Sequence, residues 1–132
     1  MRPSLHTVDS VLASISDNQS LELFRLIAVT NGTSETLRTK INLTRKQYYS
    51  RLSRMTKAGI VKRKNGRHSL TAFGKVVYDA QTTIEKAVNS YWKLKAIDSL
   101  EMSEDLPNEE RLKLIDNLLD SKDIKEILFN KV

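Results

Sequence analysis

Asn65-Gly66 is the feature that most restricts the fold, because this pair is a strong signal for a two-residue β-hairpin turn. Both central residues of a type I′ turn need a positive φ, which asparagine and glycine tolerate. The sequence therefore predicts a hairpin whose arms run from Ile60 to Lys64 and from Arg67 to Thr71. Since helical patterns flank it on both sides, the predicted fold class is mainly α with one small β-hairpin.

A well-marked helix precedes this hairpin. Thr44 and Gln47 have the spacing of a capping box, in which each side chain bonds the other residue's free backbone N–H. Leu43 and Tyr48 occupy the two positions of a hydrophobic staple. Glycine favours the left-handed conformation that follows a last helical turn, so Ala58-Gly59 is the expected end.

Other apolar patterns predict helices before and after this pair of elements. Upstream they cover Val8 to Ile15, Ser20 to Val29 and about Glu35 to Lys40, the last capped by Thr33 or Ser34. Downstream, Thr71 caps one long helix whose apolar stripe runs from Phe73 to Ile97, and two amphipathic segments follow, Leu112 to Leu119 and Ile124 to Leu128. We therefore expect a domain over 18–75, a helical extension over 76–132 made of the long helix and a helical hairpin, and an N-terminal helix within 1–17 that packs on this extension.

The charges are strongly segregated along the chain, whose formal net charge is +6. From Ala96 to Val132, 10 acidic residues oppose 5 basic ones. The 43 residues between Glu35 and Asp79 contain no acidic residue and 12 basic ones: Arg38, Lys40, Arg45, Lys46, Arg51, Arg54, Lys57, Lys62, Arg63, Lys64, Arg67 and Lys75. A stretch with one sign of charge predicts a polyanionic partner for that part of the chain.

The helix after Thr44 has two different faces. At 100° per residue, Tyr48, Leu52 and Met55 share one face, which we expect to be buried. The other face suits a helix that lies in the DNA major groove, where Gln47 fits adenine and Arg54 or Lys46 fits guanine. The alternative is a solvated polar face. The predicted DNA contacts on this helix are Arg45, Lys46, Gln47, Tyr49, Ser50, Ser53, Arg54 and Lys57.

The combination of motifs from Thr33 to Gly74 resembles a known class of regulators. The motifs are Ser34-Glu35-Thr36-Leu37, Leu43-Thr44, Tyr48-Tyr49-Ser50-Arg51-Leu52, Lys57-Ala58-Gly59-Ile60-Val61 and Leu70-Thr71-Ala72-Phe73-Gly74. Together they resemble the DNA-binding core of MarR-like and ArsR-like winged helix-turn-helix transcriptional regulators, particularly small archaeal members. The resemblance implies a winged helix-turn-helix in which the helix after Thr44 is the recognition helix and the hairpin is the wing.

In such a wing the hairpin tip touches phosphates or enters the minor groove, where the negative potential attracts arginine. The alternative is that basic residues on an edge hairpin only prevent strand-to-strand aggregation. The predicted wing contacts are Lys62, Arg63, Lys64, Asn65, Gly66, Arg67 and His68.

The long helix raises the question of oligomeric state. Its stripe predicts a homodimer interface at Val77, Ile84, Tyr91 and Leu94, although the same residues could pack on the C-terminal segments of their own chain. We expect the acidic C-terminal segment to lie away from DNA; folding over the basic face, where it would inhibit binding, is the alternative.

The chain lacks the residues that several classes of function require. The chain has no cysteine, its two histidines, His6 and His68, lie in different elements, and no phosphate loop or nucleophile motif is present. We therefore expect no metal, no cofactor and no enzymatic activity, and packing rather than a ligand pocket for Tyr91-Trp92. Without a signal peptide or a membrane-length apolar run, the expected location is cytoplasmic.

Three function hypotheses remain for a chain with double-stranded DNA as its expected partner. The first is a sequence-specific transcriptional regulator, the second a non-specific architectural DNA binder, and the third a winged helix used for protein assembly. The one-signed basic stretch argues against the third. Nothing in the sequence decides whether a small-molecule effector exists.

Overall fold

The computed structural model describes residues 6–30 and 32–130. These residues form eight helices and one antiparallel hairpin, and no helix among them is long and apolar enough to cross a membrane. The elements are α1 (Val8–Ser14), α2 (Asn18–Thr30), α3 (Ser34–Lys40), α4 (Arg45–Lys57), β1 (Val61–Lys64), β2 (Arg67–Leu70), α5 (Ala72–Asn89), α6 (Tyr91–Glu101), α7 (Asn108–Leu118) and α8 (Lys122–Asn130). The predicted fold class is confirmed at this level, and the arrangement is compatible with a winged helix.

The chain divides into two compact units, the first ending at Asp79 and the second beginning at Ala80. Val77 and Tyr78 pack against the core of the first unit, which is why that unit extends past residue 75 into α5. The remainder of α5 belongs to the second unit.

The core of the first unit lies among α2, α3, α4 and the hairpin. Tyr48, Leu52 and Met55 of α4 are buried, so the predicted inner face of this helix is confirmed. Phe24 of α2 is fully buried and meets the Tyr78 ring edge-to-face at 6.0 Å between centroids. This core fixes α4 with its polar side outward.

Helix α1 departs from the prediction. Val11 and Ile15 are buried in the core of the first unit, and α1 contacts α4. The expectation that residues 1–17 pack on the C-terminal extension is therefore wrong for the described part of this segment, while residues 1–5 lie outside the described residues. Val11 and Ile15 are four residues apart and therefore lie on one side of the segment, so both apolar side chains can be buried in this core together.

Both ends of α4 have the predicted chemistry. The Thr44 backbone N–H donates to Gln47 Oε1 at 3.0 Å, and the Gln47 N–H donates to Thr44 Oγ1 at 3.2 Å, which confirms the capping box. At the other end Gly59 has φ 85°, and the Ile60 N–H donates to the Met55 carbonyl at 3.1 Å. This is a Schellman ending, and it aims the chain directly into β1.

The hairpin also matches its prediction. Asn65 and Gly66 have φ of 54° and 73°, as a type I′ turn requires, and Val61 pairs with Leu70. The loop before α3 joins the same sheet, because Thr33 forms a bridge with Arg67 and the His68 N–H donates to the Gly32 carbonyl at 2.9 Å. The hairpin is thereby attached to the N-terminus of α3.

The start of α5 is held against the beginning of the hairpin. Thr71 Oγ1 accepts the Gly74 N–H at 2.8 Å, which confirms Thr71 as the cap, and the Thr71 hydroxyl donates to the Gly59 carbonyl. A Cβ at Gly74 would overlap the Ile60 carbonyl oxygen. Glycine is therefore required here by close approach to another backbone segment.

The predicted single long helix is wrong, because it is divided at Ser90 into α5 and α6. Ser90 has φ −107° and ψ 17°, outside helical values, and its side chain makes no capping bond. Asn89 and Ser90 are both weaker helix formers than the residues around them, and their side chains compete for backbone bonds, so this is where the helix yields.

The second unit has a core of its own. Ile97, Ile115, Leu119 and Ile124 are buried together, with Leu94 packed against them. Three surface ion pairs also join segments of this unit: Lys86–Asp123 at 2.9 Å, Lys93–Asp120 at 3.1 Å and Lys125–Asp116 at 3.3 Å. The acidic C-terminal segment thus belongs to a folded helical unit, and some of its carboxylates pair with lysines of that unit.

Candidate nucleic-acid interface

A groove of about 630 Å³ lies between the outer face of α4, the N-terminal turn of α3 and the hairpin. We call it the α4–hairpin groove. Helix α4 forms one wall because its core face is buried, and the hairpin forms the other because β2 is bonded to the loop before α3. Its lining residues are Thr33, Ser34, Glu35, Tyr49, Leu52, Ser53, Thr56, Lys57, Arg63, Gly66 and His68.

Three of the DNA contacts predicted on α4 line this groove: Tyr49, Ser53 and Lys57. All three are exposed, and the Tyr49 ring lies edge-to-face on Tyr48 at 5.0 Å between centroids. The buried Tyr48 thus supports the position of its exposed neighbour. Arg45, Lys46 and Ser50 are exposed on the same helix but do not line the groove.

The Gln47 side chain already makes a hydrogen bond within the protein. Its Oε1 accepts the Thr44 N–H at the start of α4, so the oxygen needed to accept from adenine already has a donor. Reading adenine in a bidentate way would compete with the cap of the helix.

Arg51 and Arg54 are held by the N-terminus of α2. Arg51 donates to Asp17 Oδ2 at 3.2 Å through Nε and to Gln19 Oε1 at 2.7 Å through Nη2, and its side chain is only 18% exposed. Arg54 Nη2 lies 3.9 Å from the other Asp17 oxygen. Hydrogen bonding from Ser20, with help from the Arg51 charge, holds the pKa of the Asp17 carboxyl below its usual value.

Two of the twelve residues of the basic stretch therefore lie beside the Asp17 carboxylate of the protein itself. Arg51 ties α4 to α2 and is a structural residue. Arg54 is half exposed and lines a separate cleft beside Ser10 and Ser14 of α1, so the structure does not bring it into the α4–hairpin groove.

The two faces of the hairpin carry different sets of wing residues. Arg63 lies on the face of Val61 and Leu70, and it lines the α4–hairpin groove together with Gly66 at the tip. Lys62, Lys64 and Arg67 are exposed on the opposite face, as the alternation of a strand requires, and Asn65 is exposed at the tip. Lys62 lines another cavity, of about 430 Å³, with Lys75 and Tyr78.

His68 differs from the prediction of a phosphate or solvent contact. It pairs with Arg63 on the inner face of the hairpin and is only 4% exposed, with Nδ1 3.5 Å from Ser34 Oγ. Burial, and next the nearby Arg63 charge, lower the pKa of the imidazole below its usual value. Because Leu70 is a core residue, the strand period of two places residue 68 inward as well, and this signal was available in the sequence.

Glu35 is a groove residue that sequence reasoning placed only at the start of a helix. It is exposed in the first turn of α3, and within the described part of the chain its carboxylate has neither a hydrogen bond nor an ion pair. Thr33 caps α3 by accepting the Thr36 N–H at 3.3 Å and lines the groove beside it. No sequence signal indicated that this turn faces the hairpin, since the contact depends on the bridge between Thr33 and Arg67.

The four residues predicted at a dimer interface have different surroundings. Val77 packs on the core of the first unit and Leu94 on that of the second. Ile84 and Tyr91 are exposed, as are Val88 and Trp92, and the Trp92 side chain is 76% exposed. The Tyr91 and Trp92 rings meet edge-to-face at 5.2 Å between centroids.

The α4–hairpin groove combines cations, hydroxyl groups and one exposed aromatic ring on an apolar base. Lysine and arginine donors suit phosphate oxygens, and serine, threonine and tyrosine hydroxyls suit both phosphates and base edges. Comparisons with protein-family models, with curated proteins and with solved structures found no match to this chain.

Proposed function

We propose that the chain binds double-stranded DNA through the α4–hairpin groove and acts as a transcriptional regulator of the winged helix-turn-helix kind. The observation that carries the proposal is the meeting of Lys57 from α4 and Arg63 from β1 in one groove. The two residues come from different elements, yet both present a positive charge to the same space.

The shape of α4 favours a duplex over an unstructured polyanion. A helix whose inner face is buried can enter a major groove, which admits one α-helix. Its exposed N-terminal residues Arg45 and Lys46 would reach base edges or phosphates, and Lys64 and Arg67 at the hairpin tip would meet the neighbouring backbone.

The architectural alternative uses the same cations without distinguishing bases. The exposed Ser50, Ser53 and Tyr49 favour the regulator, because neutral donors and acceptors add little to non-specific attraction but can read base edges. The proposal includes a cytoplasmic location and no catalytic role.

We further propose that the protein is a homodimer. Ile84, Val88, Tyr91 and Trp92 expose apolar side chains within a short stretch of the second unit, and clustered exposed apolar residues mark interaction surfaces. A two-fold dimer would bind a palindromic operator, with one groove for each half-site.

Selection of bound duplexes from a random pool, with the full-length protein at a stated salt concentration, tests the function. We expect enrichment of one palindromic motif. Uniform retention of all sequences would support the architectural alternative, and the absence of duplex retention at low salt would contradict DNA binding altogether.

A further inference from the structure

The α4–hairpin groove contains one carboxylate. Among its lining residues only Glu35 is acidic, and it shares the groove with Lys57, Arg63, Tyr49 and Ser53. The basic stretch begins immediately after it, because the next acidic residue in the chain is Asp79. Its place in the first turn suits the positive end of α3, but the same charge opposes a polyanion in the groove.

Among the residues that the structure describes, Glu35 has no partner that would neutralise it. Its side chain is exposed, and the described residues provide it with neither a hydrogen bond nor an ion pair. Asp17 shows the contrast, since Arg51 and Arg54 both reach that carboxylate from α4. Fold stabilisation by an ion pair therefore explains Asp17 but does not explain Glu35.

A carboxylate facing DNA is repelled by phosphates and can only accept hydrogen bonds. On the base edges exposed in the major groove, the donors are the amino groups at cytosine N4 and adenine N6, whereas guanine and thymine present acceptors. A carboxylate is therefore favourable at one class of base and unfavourable at the others.

Resting on the proposed function, we propose that Glu35 is a specificity-determining residue that accepts a hydrogen bond from a cytosine or adenine amino group at the edge of each half-site. Repulsion from phosphates lowers the affinity of the groove for every duplex, and only the operator offsets it with the hydrogen bond to Glu35. Glu35 thus increases the difference in affinity between operator and random DNA.

The test measures the affinity of full-length Glu35→Ala, which removes the acceptor oxygens, for the selected duplex and for a random duplex at one salt concentration. We expect the ratio of the two affinities to fall about tenfold, since one good base contact gives discrimination of that order. Random DNA should bind the variant as tightly as wild type or tighter. The position that loses its preference on selection with the variant should be one where the wild type selects cytosine or adenine, and not guanine or thymine, on one strand.

Glu22→Ala is the matched control, because Glu22 is exposed on α2, lies outside the groove and gives the same change in charge. It should tighten both duplexes equally and leave their ratio unchanged. Thermal unfolding of both variants confirms that each is folded.

Two results would overturn the inference. Equal tightening of both duplexes by Glu35→Ala, as for Glu22→Ala, would mean that the carboxylate acts only by repulsion. If the wild type binds duplexes tightly but without any sequence preference, Glu35 has no base partner. DNA binding itself would then still hold. Absence of duplex binding would instead reject the proposed function itself, so the two failures are distinguishable.

Discussion

At the scale of single residues, the position of a charge matters more than its number. Arg51 belongs to the basic stretch, yet three of its nitrogens donate to Asp17, Gln19 and the Gln47 carbonyl. Arg63 has no comparable tie among the described residues and lines the α4–hairpin groove. Counting cations therefore overstates the binding surface, because some of them serve the packing of helices.

His68 gives a prediction at this scale. Burial and the Arg63 charge lower its pKa in the folded protein, whereas the unfolded chain keeps a pKa near 6.5. As pH falls below that value, the unfolded chain binds a proton more readily than the folded one. The free energy of unfolding should therefore have its full value above pH 6.5. Below that pH it should decrease, by at most about 1.4 kcal/mol per pH unit.

Chemical denaturation between pH 7.5 and 5.5 measures this dependence, with His68→Gln as the control that lacks the titrating group. The variant should show the flatter profile over this range. Parallel profiles for wild type and variant would contradict the assignment of the pH dependence to His68.

At the scale of elements, local signals located most of the fold correctly. The Thr44 capping box, the glycine after α4 and the Asn65-Gly66 turn each act within a few residues, so they are visible in sequence. The packing of α1 and the pairing of Arg51 with Asp17 were not predicted, because they join segments far apart in the chain. The break at Ser90 was missed because an apolar stripe continues on both sides of it.

The candidate site follows the same division. The outward face of α4 could be predicted from helical periodicity, and its exposed residues agree with that pattern. The sequence predicts wing contacts all along the hairpin, although strand alternation separates Arg63 and His68 from Lys62, Lys64 and Arg67. The contribution of α3 depends on tertiary contact with β2 and could not be predicted from either segment alone.

Gly74 gives a prediction about the junction of hairpin and α5. Gly74→Ala should lower the free energy of unfolding by about 1–3 kcal/mol, because the added methyl group overlaps the Ile60 carbonyl oxygen and forces the backbones apart. Urea denaturation measures the change. Ala72→Ser in the same helical turn is the control, since Ala72 is exposed and should tolerate the change. Equal stability of Gly74→Ala and wild type would show that the junction is not closely packed.

At the scale of the whole molecule, we propose a different role for each of the two units. The first contains the α4–hairpin groove, and the second has an independent core together with an exposed apolar group on α5 and α6. Some carboxylates of the second unit form ion pairs with Lys86, Lys93 and Lys125 of the same unit. Together with the exposed apolar side chains, this internal pairing of charge favours a role in assembly for that unit.

The proposed dimer predicts that Trp92→Ser weakens self-association at least tenfold, because a large exposed aromatic side chain at an interface contributes more than its neighbours. Sedimentation equilibrium of the full-length protein measures the dissociation constant. Met102→Ser is the control, since Met102 is also highly exposed in the second unit but lies after α6. A wild-type protein that stays monomeric at high micromolar concentration would contradict the dimer.

The central claim is that cations of α4 and of the hairpin act on one duplex. The most direct test is the salt dependence of duplex affinity for wild type and for Lys57→Gln/Arg63→Gln, with Lys113→Gln/Lys122→Gln of the second unit as a control of equal charge. If each residue neutralises one phosphate, the slope of log affinity against log salt becomes shallower by about 1.8 in the first variant. The control should keep the wild-type slope. An unchanged slope and affinity in Lys57→Gln/Arg63→Gln would contradict the proposed interface.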